Sequence, residues 1–197
     1  MLMIHHTQWV NVQHVKGLHA APVRPGSRQP VRYEGYGPGE AALLIDCLTD
    51  DPERTRTRLK DSLREHGGYL GAAGSVAYLF DYVGLLRYAP QTDAQGLIQT
   101  ALLAGAEEVI GRPAAIEVLT DPQDFESIHA ELRRRGFAPL TAELTEHAAL
   151  SAHLSGEAAQ RLVQLIEALA MLDEVCHVYT NAELVGEHRA AAGHGQS

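Results

Sequence analysis

Residues 33–80 read YEGYGPGEAALLIDCLTDDPERTRTRLKDSLREHGGYLGAAGSVAYLF, and the order of signals in this stretch decides the fold. A glycine-rich loop at 33–39 comes first. Residues 41–48 follow, short and apolar on both faces, which is the pattern of a buried strand. Asp50, Asp51 and Pro52 then give a helix start, an aspartate cap with proline in the first turn. Leu59 and Leu63 mark the buried side of this helix, His66 caps its end, and Gly67 and Gly68 stop it. Residues 75–80 read as the next strand and continue through a turn into 83–88.

Outward from this stretch the same alternation repeats. Leu97, Ala101, Leu102, Ala106 and Val109 give a helical stripe, and residues 116–119 a strand. Asp121 and Pro122 open another helix, with Phe125, Ile128 and Leu132 facing inward up to Gly136. A short strand is expected at 142–144. Leu162, Leu165, Ile166, Leu169 and Leu172 recur at helical spacing and give the clearest helix of the chain, before a closing strand at 175–179. The order predicts an α+β protein made of two small antiparallel-sheet and helix domains, the second inserted into the first. The expected divisions are an irregular segment at 1–30, a first domain at 31–90 plus 151–185, an inserted domain at 91–150, and a disordered tail at 186–197. Within the first segment, residues 20–30 hold three prolines and a glycine and read as a linker.

The chain has 197 residues, 45% of them apolar and 21% charged, which suits a globular protein with a real core. No apolar run is long enough to span a membrane, no secretory signal opens the chain, and Cys47 and Cys176 cannot build a disulfide framework. A cytoplasmic location is expected. The net charge is −9, split into +2 for residues 1–40 and −11 for the remainder. An acidic body argues against broad phosphate binding, so any nucleic-acid contact must be local.

The run Gly35, Gly37, Gly39 is followed by Glu40 and a strand, not by a helix, so neither a dinucleotide fingerprint nor a nucleotide P-loop is present. These glycines, with Gly67, Gly68, Gly71 and Gly74, read as structural. The eleven histidines show no metal-ligand spacing, and no nucleophile–base set is identifiable. No metal, no cofactor and no catalysis are expected. Cys47 and Cys176 fall on strands and read as buried hydrophobes. Two basic clusters remain. Arg133, Arg134 and Arg135 suit a helix C-terminus. Arg54, Arg56, Arg58 and Lys60 form either a solvated face laced with acids or a patch for phosphate.

The motifs Tyr33-Glu34-Gly35-Tyr36-Gly37-Pro38-Gly39, Arg54-Thr55, His66-Gly67-Gly68, Leu70-Gly71 and Gly74 through Phe80 together resemble the YebC/PmpR family. So do residues 104–109, 165–169 and 178–181, so the resemblance covers 31–184 in order. It implies a three-domain cytoplasmic protein, described in bacteria as a DNA-binding transcriptional regulator or a ribosome-associated factor and in mitochondria as a translational activator. Family members open on a basic helical domain, beginning Gly-His-Ser-Lys-Trp-Ala-Asn-Ile. Residues 6–17 look like an eroded form of that opening, and most of the helical domain is expected to be missing. Glu40 stands where the family has glycine, Pro52 where arginine is typical and Tyr69 where asparagine is typical. The resemblance and the basic helix together predict weak, salt-dependent binding of DNA or ribosomal RNA through Arg54, Arg56, Arg58 and Lys60, with Tyr33 and Tyr36 of the adjoining loop. The alternative is a protein-interaction module, or a decayed paralogue, without nucleic-acid affinity.

Overall fold

The computed structural model describes residues 27–185. It opens on a hairpin: β1 (Gln29–Tyr36) pairs antiparallel with β2 (Ala42–Thr49), with Tyr33 opposite Ile45 and Gly35 opposite Leu43. The expected loop at 33–39 is therefore half strand, and only a short 3-10 turn, Pro38–Glu40, joins the two strands. Gly35 within β1, and Gly37 and Gly39 just after it, obscured the strand, because glycine lacks the side chain by which a strand is recognised. α1 (Pro52–Glu65) starts where the cap signal lies, the Asp51 carboxylate accepting from the Arg54 amide at 3.0 Å. β3 (Tyr69–Leu70) then adds to the free edge of β1.

The chain returns to this sheet near its end. α4 (Gly156–Ala170) leads into β9 (Val175–Thr180), which pairs with β2 and completes the order β3-β1-β2-β9. α1 and α4 cover one face of the sheet. Leu43 and Ile45 of β2 pack there with Leu59 and Leu63 of α1 and with Leu162, Leu165, Ile166 and Leu169 of α4. Each such buried leucine or isoleucine contributes about 1.5–3 kcal/mol of transfer free energy. β8 (Ala152–Leu154) and β10 (Ala182–Leu184) form a separate parallel pair.

The division into units differs from the expected one. Among described residues, 27–75 with 151–185 make the first unit, and Val76–Leu150 the second. The boundary assigned to residue 90 lies at Ser75. The segment at 75–88, expected as strand of the first domain, turns through a 3-10 turn, Ala77–Leu79, into β4 (Phe80–Tyr88), which pairs with strands of the second unit. The expected segments 1–26 and 186–197 lie outside the described residues.

In the second unit, β4 is followed by α2 (Ala94–Ala104), β5 (Glu108–Gly111), β6 (Ile116–Thr120), α3 (Phe125–Arg134) and β7 (Thr141–Ala148). The sheet order is β5-β6-β4-β7 and every pairing is antiparallel. This is the ferredoxin-like β-α-β-β-α-β arrangement. The helical stripe expected through Val109 ends at Ala104, because Gly105 adopts a φ of 101° and closes the helix, leaving Val109 to β5. Leu86, Tyr88 and Val118 pack against Leu97, Ile128 and Leu132. On the other face Glu117 is 1% exposed, with Arg87 at 3.0 Å and Arg112 at 2.8 Å. Burial alone would raise its carboxyl, but these cations and His147 outweigh it and hold the group at about 2. His147 approaches only to 3.9 Å, beyond a full hydrogen bond, so the guanidiniums carry the pull.

Candidate nucleic-acid interface

The four cations of α1 do not share a face. At about 100° per residue, Arg54 and Arg58 fall on one flank of the helix while Arg56 and Lys60 fall on the other. Thr55, Leu59 and Leu63 are buried between the flanks. Thr55 is thereby unavailable to a ligand, and its hydroxyl lies 2.8 Å from that of Thr49.

The first flank is occupied. Arg54 pairs with Asp50 at 2.8 Å, a contact open to solvent on both sides. Arg58 directs Nη1 at both oxygens of Glu174, at 2.6 and 2.7 Å, and the Glu174 carboxylate is only 8% exposed. This bridge ties α1 to the approach to β9, and a phosphate taking Arg58 would leave Glu174 buried without its cation. Arg56 and Lys60 are exposed and make no ion pair among the described residues. Side chains four apart on a helix stand about 5–6 Å from each other, close enough to address one phosphate or two neighbours.

The two tyrosines are also separated. Strand alternation puts Tyr33 on the helix-covered face and Tyr36 on the opposite one. Tyr33 packs against the core beside α1, and its hydroxyl donates to the Pro52 carbonyl at 2.7 Å. Burial pushes its pKa up, as do Cys47 and Glu53, whereas nearby Arg56 acts in the opposite direction. Tyr33 is thus a neighbour of the Arg56 flank with its hydroxyl already used. Tyr36 donates to the Ser75 carbonyl at 3.0 Å and stacks on Tyr69, with ring centres 5.0 Å apart.

The glycines divide between close approach and turning. A side chain at Gly35 would meet the Tyr69 carbonyl at 2.8 Å, so its absence is what lets β3 join β1. Gly37, Gly68 and Gly71 are similarly crowded. Gly67, with a φ of 83°, closes α1, and Gly39 and Gly74 also take positive φ. The basic run after α3 is partly consumed, since Arg134 and Arg135 both reach Glu131, at 2.6 and 2.9 Å. Cys47 and Cys176 lie on adjacent strands, both buried, and burial pushes the Cys47 thiol up to about 12, which leaves it inert.

Sequence reasoning missed Glu174, Tyr69 and Glu40 as partners of these groups. Glu174 lies 116 residues from Arg58, so no local spacing could have joined them. Tyr69 is 29 residues from Glu40, to whose carboxylate its hydroxyl donates at 2.9 Å.

α1 thus carries two ion-paired and two unpaired cations, and the Tyr36–Tyr69 pair lies on the sheet. Residues 28–182 match the family described as TACO1/YebC second and third domain, and the chain belongs to the TACO1/YebC family. A protein of Halorhodospira halophila named "probable transcriptional regulatory protein" is 40% identical over 160 residues, covering 81% of this chain and 65% of that one. A Francisella tularensis protein of the same name is 42% identical, covering 81% of this chain and 64% of its own length. The match thus spans slightly less than two thirds of these relatives. The crystal structure of a conserved hypothetical protein, Aq1575, from Aquifex aeolicus superposes with a TM-score of 0.68 at 29% identity, covering 85% of this chain and 70% of that one. The relatives are named for regulation rather than for a catalysed reaction.

Proposed function

We propose that the protein is a cytoplasmic nucleic-acid-binding regulator that contacts the phosphate backbone of DNA or ribosomal RNA through the Arg56–Lys60 flank of α1. The observation that carries this reading is the pairing state of the four cations: Arg54 and Arg58 are engaged by Asp50 and Glu174, while Arg56 and Lys60 stand exposed and unpaired among the described residues. The regulatory names of the relatives support it. Only one or two phosphates can be neutralised there, so binding is weak and falls steeply with salt.

The test is a gel shift with duplex DNA and cosedimentation with ribosomes at low salt. Arg56→Ala/Lys60→Ala is expected to lose binding and Arg54→Ala to retain it. Equal binding by the double variant and the parent would remove this flank from the interface.

A second reading, a protein-interaction module, is favoured by α2. That helix carries no charged residue, and Ile98, Leu102 and Leu103 lie exposed on it. Retention of DNA or ribosomes at physiological salt by the purified chain would exclude a purely protein-binding role.

A further inference from the structure

At the β3 edge of the first unit, two tyrosines form a fixed platform. Tyr36 and Tyr69 are cross-strand partners, and their rings stack at 5.0 Å with planes 29° apart. Each hydroxyl is anchored, Tyr36 on the Ser75 carbonyl at 3.0 Å and Tyr69 on Glu40 Oε2 at 2.9 Å. Tyr69 is nevertheless 49% exposed, so the platform presents an open aromatic surface to solvent. Its support is conformationally expensive. Glu40 holds a φ of 59° and is the only non-glycine with positive φ among the described residues. A residue in an unfavourable backbone conformation thus supplies the carboxylate that locks an exposed ring. Glu40 sits in the short turn that closes the β1–β2 hairpin, beside Gly39 with a φ of 68°, so the turn fixes where its carboxylate stands. Strained residues of this kind persist where the surroundings and a site require them.

The chemistry of the platform selects its ligand. Every nucleobase has a face that stacks on an aromatic ring, and stacking on fixed tyrosines is the way single strands are held without duplex geometry. The carboxylate at the hydroxyl edge is acceptor-only, and among the described residues Oε1 has no partner. It repels a backbone phosphate, accepts from the amino group of cytosine or adenine, and opposes the carbonyl that thymine or uracil presents at the same edge. We propose that Tyr69, backed by Tyr36 and keyed by Glu40, is a stacking site for an unpaired, amino-bearing nucleobase of a single strand. The proposal rests on the nucleic-acid reading above but on different residues, so loss of base preference overturns it alone, while loss of all binding overturns both.

The test uses the full chain and three short fluorescein-labelled strands of equal length: oligo(dC), oligo(dT) and an abasic strand, followed by anisotropy at low salt. The parent is expected to bind oligo(dC) most tightly and the abasic strand least. Tyr69→Leu is expected to weaken oligo(dC) binding about tenfold and leave the abasic strand unchanged. Tyr69→Phe keeps the ring and stays close to the parent, which guards against a folding artefact. Glu40→Gln brings the oligo(dC) and oligo(dT) affinities together. Parental binding of oligo(dC) by Tyr69→Leu would overturn the proposal, as would equal parental affinity for oligo(dC) and the abasic strand, or for oligo(dC) and oligo(dT). Failure of the parent to bind any strand, the abasic one included, would instead sink the phosphate-binding reading and this proposal with it.

Discussion

Glu174 and Glu117 are both nearly buried carboxylates paired with arginines. The Glu174 bridge makes Arg58 a stability residue. Arg58→Ala is expected to lower the unfolding free energy by about 2 kcal/mol, because it leaves a buried carboxylate unpaired. Arg56→Ala, on the open flank, should move it by less than about 0.5 kcal/mol. Denaturant melts of the two variants make the comparison, and they also protect binding assays from mistaking unfolding for lost contact. Glu117 adds a pH dependence. Its pKa is held at about 2, below the ordinary 4.5, so its stabilisation is complete above pH 4.5 and is lost as the pH falls toward 2. Glu117→Gln should cost about 3 kcal/mol near neutrality. Its melting temperature should converge on the parent's only as both are titrated through that acidic window. A constant difference down to pH 2.5 would contradict the assignment.

Among the elements, those with a strong period or a cap were legible and those without were not. α4 follows from its leucine spacing, and α1 from Asp51 and Pro52, whose capping geometry is as the residue types require. Leu165, fully buried between α4 and the sheet, should cost about 2–5 kcal/mol on truncation to alanine, read from a chemical melt. β1 was hidden by Gly35 and by the glycines that follow it. β5 was hidden by its length of four residues, and by following a helix whose stripe appeared to run on through it. β7 was recognised only in part, because Thr141 to Ala148 alternates small, polar and apolar residues at an edge where little is buried. The candidate interface was legible as a basic helix, yet not as two flanks. Residue types place cations on α1, but which of them remain free is decided by a local acid, Asp50, and a distant one, Glu174.

At the scale of the whole molecule, the order of elements made the α+β class and the antiparallel sheets legible, while strand pairing moved one boundary. β4 was assigned to the first domain because the two-residue β3 between it and α1 gives no sequence signal, and nothing local distinguishes a strand that pairs backward from one that pairs forward. Its partners are β6 and β7, so residues 76–150 hold a continuous ferredoxin-like unit with its own core. Expressed alone, that segment should unfold cooperatively on heating, whereas residues 76–150 truncated to begin after β4 should not fold. Circular dichroism melts of the two fragments decide this.

An acidic protein that reaches phosphate does so here through one narrow flank of α1. The measurement that bears on it most directly is the salt dependence of affinity for a labelled DNA duplex, in the parent and in Arg56→Ala/Lys60→Ala. Two lost phosphate contacts should weaken binding and reduce the slope of log K against log salt by about 1.8. An unchanged slope and affinity in the double variant, with the loss appearing in Arg54→Ala, would contradict it.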